Sequence, residues 1–232
     1  MADNVLTMKK DKKESAEQKV ENFVMRNRGV ILGIGALLIL VAIGFGVFFG
    51  VSDSVKNKKL SAIDAVETAY TKDSDSLTDA QIVDRQNEAL EALKAYVSEK
   101  GIVGVRANSL VADIYMSKKD FANAIGSYVA AAEASPNAYT AGLAYANAAV
   151  CCDELGNSAE AISYYEKAIE KKNFSLVTRS MFNLGRLHES MGHYETASEV
   201  YGRLILEHAG DTWANLAQTR LIVLENEGKI KN

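Results

Sequence analysis

The side chains that most often bind metals or catalyse reactions are few in this chain and are poorly spaced for either task. The sequence of 232 residues contains three histidines and two cysteines. Glu189 and His193 are four residues apart, a spacing that can place two metal ligands on one helix face. Gly192 lies between them and favours a turn, so we expect no metal site there. We interpret His188 as a packed helix residue and Trp213 as a core anchor.

The two cysteines are adjacent, at Cys151 and Cys152. Side chains of neighbouring helical residues point in different directions, and a disulfide between them would strain the backbone. We therefore interpret both cysteines as small apolar core residues. They do not identify the compartment, because an exported protein need not contain disulfides.

Other signatures of catalysis are also missing from the sequence. It contains no phosphate-binding glycine loop, no nucleophile elbow and no zinc-ligand spacing. We therefore expect no enzymatic activity and no cofactor. The net charge is −4 and basic residues cluster before residue 30, so nucleic-acid binding is not expected. Binding of other proteins and scaffolding remain as functions.

An uncharged stretch at residues 30–51, VILGIGALLILVAIGFGVFFGV, has the composition of a membrane-spanning helix. A helix rises about 1.5 Å per residue, so about 20 residues cross the hydrocarbon core of a bilayer. A cleaved signal peptide has a shorter apolar stretch, of about 7–15 residues, and Gly50-Val51-Ser52-Asp53 is a poor cleavage site. A lipoprotein would need a cysteine at that point. The sequence therefore predicts a retained single-pass anchor.

The basic residues beside this stretch predict its orientation, because the cytoplasmic flank carries the excess of lysine and arginine. Four basic residues follow the stretch at close range, namely Lys56, Lys58, Lys59 and Lys72. Seven precede it, namely Lys9, Lys10, Lys12, Lys13, Lys19, Arg26 and Arg28. We predict a cytoplasmic basic leader at 1–29 and a domain outside the cytoplasm. In a bacterium this means the inner membrane, with the domain in the periplasm.

Residues 14–28 of the leader show the spacing of an amphipathic helix. Ala16, Val20, Phe23 and Val24 fall on one face, and Lys19 lies off it. One interpretation is that this helix simply continues the membrane span into the cytosol. The other is that it offers a small docking surface for a membrane partner.

Residues after the span are helical in character, with one proline and abundant alanine. We predict a divergent helical hairpin at 53–104. Its first helix covers about 53–71 and ends in a polar loop at 72–77. Thr78 and Gln81 have the spacing of a capping box, and the helix that they begin is expected to end near Gly101.

The C-terminal half contains an internal repeat, seen at residues 118–136, 155–173 and 191–209. Each segment has a turn, an alanine and then an aromatic residue four positions later. A small residue lets two helices approach closely, and the aromatic residue fills the space between hairpins. Hairpins of this kind must stack to bury their apolar faces. The matched pairs are Ala124 with Tyr128, Ala161 with Tyr165, and Ala197 with Tyr201.

This pattern resembles the tetratricopeptide repeat, whose period is about 34 residues. Leu184-Gly185 matches the Leu-Gly pair of that family, and Pro136 stands where the family often has proline. The resemblance implies an all-α fold, in which the membrane helix precedes a helical-hairpin solenoid. Residues 105–232 would form the repeats and a C-terminal capping helix, which Asp211 can begin.

In tetratricopeptide arrays the first helices of the hairpins line a concave, protein-binding groove. By the family pattern the groove is lined here by Arg106, Ser109, Asp113, Met116, Leu143, Ala146, Val150, Arg179, Phe182 and Arg186. Some members hold a C-terminal carboxylate with lysine and asparagine, at the positions that Ser109, Asp113, Ala146 and Val150 occupy here. We therefore expect an extended or helical segment with apolar anchors as the ligand.

The layout also resembles the single-pass, tetratricopeptide-containing ancillary subunit of the bacterial SecYEG translocon. The similarity covers the charged leader, the segment ENFVMRNRGVILGIGALLIL and the segment SAIDAVETAY after the span. It implies a periplasmic domain that works beside the translocon and contacts emerging proteins or periplasmic chaperones. The alternative is a structural scaffold in a cell-envelope machine, such as a secretion system or flagellar motor.

Overall fold

The computed structural model describes residues 16–231, which are helical and contain no strand. The chain divides into two units, Met1–Val55 and Lys56–Asn232. The first helix, α1, runs over Ala16–Thr71 and is interrupted at Asn27, whose φ of −110° and ψ of 17° are not helical. Its apolar part reaches a mean hydropathy of 2.8 over 18 residues, none of them buried, and is long enough to cross a membrane.

The second unit begins with the end of α1, which is followed by a short 3-10 helix at Ser74–Ser76, α2 at Asp79–Leu93 and α3 at Gly101–Ser117. The capping box predicted at the start of α2 is present. The hydroxyl of Thr78 accepts a hydrogen bond from the Gln81 amide, and the Gln81 side chain accepts one from the Thr78 amide at 3.0 Å.

The helix α2 ends at Leu93, earlier than the expected end near Gly101, and residues 94–98 form turns. The buried side chain of Asn108, on α3, donates a hydrogen bond to the Val97 carbonyl at 2.8 Å and so holds this turn. Backbone also packs closely here, because a Cβ at Gly104 would lie 1.9 Å from the Glu99 carbonyl oxygen.

Six further helices follow α3 and complete the predicted solenoid, which is confirmed. They are α4 at Phe121–Ala134, α5 at Thr140–Glu154, α6 at Ser158–Ile169, α7 at Val177–Ser190, α8 at Tyr194–Glu207 and α9 at Thr212–Asn226. The repeated alanines Ala124, Ala161 and Ala197 are completely buried. Gly156 and Gly192 adopt φ of 75° and 77° at the turns within hairpins, which favours glycine there.

The last helix, α9, covers the apolar end of the third hairpin. Its buried residues Ala214, Ala217 and Leu224 share one cluster with Tyr201 of α8. As predicted, the carboxylate of Asp211 caps the helix, and it accepts a hydrogen bond from the Trp213 amide at 2.7 Å. The side of α9 away from this cluster is exposed and mixed, with Asn215, Gln218 and Thr219 beside Leu216 and Ile222.

Candidate protein-binding groove

The ten residues predicted to line the groove lie on the first helices of the three hairpins: four on α3, three on α5 and three on α7. Their side chains differ in accessibility. Leu143 is 41% exposed, whereas Ala146 is 6% exposed and offers little surface. Arg106 and Arg179 are exposed, and Phe182 is half-buried.

Two of the polar side chains that α3 contributes, those of Arg106 and Asp113, already have partners within the protein. Arg106 forms ion pairs with Asp64 and Glu67 on α1. Asp113 accepts a hydrogen bond from the Tyr128 hydroxyl at 2.6 Å. Burial, followed by this hydrogen bond, raises the pKa of Tyr128 above its ordinary value. This end of the groove is therefore held by internal contacts.

The middle of the groove lies between α5 and α7. Ala146, Val150 and Arg179 line a small cavity of about 40 Å³, together with Tyr165 and Asn183. The Asn183 amide donates a hydrogen bond to the Tyr165 hydroxyl at 3.2 Å. The structure thus brings three of the predicted residues together, in a space too small for a large side chain.

A larger cavity, of about 360 Å³, lies between α7, α8 and the C-terminal part of the chain. The centroid of the Phe182 ring lies 5.7 Å from that of Tyr201 and 5.3 Å from that of Trp213, so the three rings form one aromatic cluster. Phe182 and Arg186 are the predicted residues that line this cavity. We call this cavity the C-terminal pocket. It is lined by Phe182, Arg186, Glu189, Ser190, Tyr194, Tyr201, Arg220 and Lys229.

Two ion pairs join neighbouring hairpins along this part of the groove. Arg186 on α7 pairs with Asp153 on α5, and Arg220 on α9 pairs with Glu189 on α7. The hydrogen bond with Glu189 raises the pKa of Arg220. The family pattern does not assign Asp153, Glu189 or Arg220 to the groove. Their spacing was a usable signal, because Glu189 follows Asp153 by 36 residues and Arg220 follows Arg186 by 34.

The reactive groups of the solenoid are poorly placed for chemistry. Cys151 and Cys152 are buried and not bonded to each other, and burial raises the pKa of their thiols to about 11 and about 12. Both are therefore protonated and poorly nucleophilic near neutral pH. Gly192 separates His193 from α7, as expected. Within residues 16–231 no group of three or more metal-binding side chains occurs.

Comparison with known proteins identifies the repeats. Models of the tetratricopeptide repeat match residues 105–138, 143–170 and 180–212. A TPR repeat-containing protein of Treponema pallidum (strain Nichols) is 34% identical over 139 residues, or 60% of this chain. The chain spans 58% of the length of that relative.

Solved structures of MamA are similar at lower identity. One covers 66% of this chain and 87% of its own, with 20% identity and a TM-score of 0.42. Another, of MamA AMB-1, covers 72% and 92%, with 20% identity and a TM-score of 0.45. The sequence matches and the stacked hairpins together give the conclusion that this chain contains tetratricopeptide repeats, which are protein-interaction modules.

Proposed function

We propose that this chain is a membrane-anchored protein-binding module that assists protein export or folding beside a SecYEG-type translocon. The observation that carries the proposal is the C-terminal pocket, where aromatic and charged side chains meet and which the predicted groove residues Phe182 and Arg186 help to line. Its partners would be translocon subunits, periplasmic chaperones or the exported proteins themselves.

The composition of the C-terminal pocket suits an apolar side chain of a bound polypeptide segment. The half-buried rings of Phe182 and Tyr194 supply accessible apolar contact area, and Arg186 and Arg220 lie around them. Both arginines are already paired with carboxylates, so the rim is close to electrically balanced. A ligand should therefore gain most of its binding energy from an apolar or aromatic anchor rather than from charge.

We propose that a membrane anchor holds this surface where exported polypeptides emerge. We propose that residues 30–51 span the inner membrane with the basic leader in the cytoplasm and the repeats in the periplasm. The support is the apolar part of α1 and the excess of basic residues before it.

Co-purification from mild detergent tests the function. The full chain should capture translocon subunits or proteins in transit. Leu143→Asp should reduce this capture while leaving the fold intact, because Leu143 is exposed and is predicted to line the groove. Tyr139→Ala is the matched control, since Tyr139 is exposed in the turn before α5, outside the predicted groove set. Capture of secretion-system or motor components instead would favour a scaffold. Equal capture by wild type and Leu143→Asp would contradict the groove.

A further inference from the structure

The part of α1 that precedes the apolar stretch is set apart by a local break in the helix. Asn27 has non-helical φ and ψ angles, and its side-chain amide donates a hydrogen bond to the Phe23 carbonyl at 2.8 Å. That carbonyl is the acceptor which the backbone amide of Asn27 would use in a regular helix. A side chain that inserts into the hydrogen-bond ladder of a helix is a recognised cause of a kink.

The segment before the break, residues 16–26, carries large apolar side chains that no part of the described structure covers. Val20 is 63% exposed and Phe23 is 64% exposed, and Val24 is exposed beside them. Their spacing places all three on one face of the helix. An uncovered face of this kind needs a partner that is itself apolar.

The charges of this segment lie along the two edges of that face. At helical spacing, Lys19 and Arg26 fall on one edge, and Glu17 and Glu21 fall on the other. The side chains of Lys19 and Arg26 are long enough to reach outward while their stems remain beside apolar groups. These four charges cancel, but over residues 1–29 seven basic side chains outnumber five acidic ones, which gives a net side-chain charge of +2. The balance of charge therefore favours an anionic surface.

The position of the segment decides between a lipid and a protein surface. Val30 begins the apolar stretch and lies seven positions after Phe23. If the helix continued straight out of the bilayer, Phe23 would lie about 10 Å into water. A bend at Asn27 instead allows the apolar face to lie at the boundary between headgroups and acyl chains.

We propose that residues 16–26 form an interfacial helix, separated from the membrane span at Asn27, whose Val20, Phe23 and Val24 face lies in the headgroup region of an anionic leaflet. The inference rests on the proposed membrane anchor and goes beyond it, since an anchor requires no interfacial helix. The helix would fix the cytoplasmic end of the span at a defined depth.

Site-directed spin labelling of the full chain in phosphatidylcholine–phosphatidylglycerol vesicles tests the proposal. Labels are introduced by Val20→Cys on the apolar face and by the matched control Asn22→Cys on the opposite face, and Leu38→Cys reports on the span. The native Cys151 and Cys152 are completely buried, so they should not take up label in the folded protein. Collision with lipid-soluble oxygen and with a water-soluble nickel chelate is measured at each label.

The expected result is that the Val20 label collides several-fold more with oxygen relative to nickel than the Asn22 label does. This contrast should shrink in vesicles of phosphatidylcholine alone, because these vesicles lack the anionic headgroups that attract Lys19 and Arg26. Equal water access at Val20 and Asn22, with the Leu38 label still in lipid, would overturn the interfacial helix and leave the anchor standing. Water access at Leu38 would overturn the anchor and this inference together. A Val20 label shielded from both reagents would indicate a protein partner and contradict the lipid assignment.

Discussion

The repeated tyrosines contribute both apolar packing and a hydrogen bond at each hairpin of the solenoid. Their rings are buried between helices, while each hydroxyl bonds to a polar group on a neighbouring helix. Tyr128 donates to Asp113 at 2.6 Å, and Tyr201 bonds to Glu189 at 3.1 Å. Burial raises the pKa of Tyr201, as it does for Tyr128, so both stay protonated at neutral pH. The pattern of alanine and aromatic residues could be read from the sequence, but the hydroxyl partners could not.

Gly185 should tolerate no side chain, because the ring of Tyr201 packs directly against it. A Cβ at Gly185 would lie 2.4 Å from Cε1 of Tyr201, whose ring is fully buried and cannot move aside. We expect Gly185→Ala to lower the free energy of unfolding by about 1–3 kcal/mol, as overpacking does. Denaturant unfolding followed by circular dichroism measures the change.

The matched control is Gly202→Ala, on helix α8. A Cβ at Gly202 has nothing within 4 Å, so alanine should raise stability by about 0.5–1 kcal/mol through its better helix propensity. Equal effects of the two substitutions would contradict the packing described for Tyr201.

His188 should make the solenoid less stable in mild acid. Burial, followed by the nearby His193, lowers the pKa of His188, and its buried Nδ1 has no hydrogen-bond partner in the described part of the chain. The folded state therefore favours the neutral ring. Below the ordinary histidine pKa of about 6.5, the unfolded chain binds more protons at this residue than the folded chain does. Stability is complete above that pH and falls as the pH drops towards the lower pKa of the folded state.

Thermal unfolding between pH 7.5 and pH 5 measures this effect. His188→Gln should flatten the decrease in melting temperature, since glutamine does not titrate. His208→Gln serves as the control, because His208 lies outside the His188–His193 pair. An unchanged pH profile in His188→Gln would show that other groups cause the acid sensitivity.

At the scale of elements, local signals and the internal repeat predicted most helices of the solenoid. Caps at Thr78 and Asp211 and glycines at hairpin turns are local signals, and the sequence contained them. The predicted end of α2 was wrong because the contacts that end this helix involve residues farther along the chain. Asn108 lies 11 residues beyond the Val97 carbonyl that it binds, and Gly104 allows the backbone to approach.

The capping helix α9 should contribute to stability through one face. Leu224 is completely buried in the cluster with Tyr201, whereas Leu216 on the same helix is 43% exposed. We expect Leu224→Ala to cost about 2–5 kcal/mol, the range for a fully buried leucine. Leu216→Ala should change stability by about 0.5 kcal/mol or less, as at most surface sites. Equal losses in denaturant unfolding would show that α9 packs by a different face.

At the scale of the whole molecule, the sequence assigns groove positions to helices but does not predict what the side chains at those positions contact. The family pattern assigns positions, but ion pairs between hairpins join residues far apart in the chain. Asp153 and Arg186 are separated by 33 residues, and Glu189 and Arg220 by 31. These pairs occupy two arginines that would otherwise be candidates for ligand binding. Phe182 likewise packs against Trp213, a contact that the repeat pattern did not contain.

Phe182 should therefore matter for both binding and local packing. Aromatic anchors often contribute about 2 kcal/mol or more when truncated. We expect Phe182→Ala to weaken partner capture with helical content retained, as measured by pull-down and circular dichroism on the same preparation. Full capture by Phe182→Ala would count against the C-terminal pocket. Capture by a chain that lacks residues 56–232 would exclude the repeats as the binding site.

The orientation of the chain in the membrane is the last prediction, and it decides which partners the repeats can meet. Seven basic residues before the apolar stretch against four after it favour a cytoplasmic leader. A cysteine introduced by Ser158→Cys, at the start of α6, should react with a membrane-impermeant maleimide in intact spheroplasts. The unmodified chain is the control, because Cys151 and Cys152 are buried with pKa values raised to about 11 and about 12. Labelling of Ser158→Cys only after lysis would place the repeats in the cytoplasm and remove exported proteins from their possible partners.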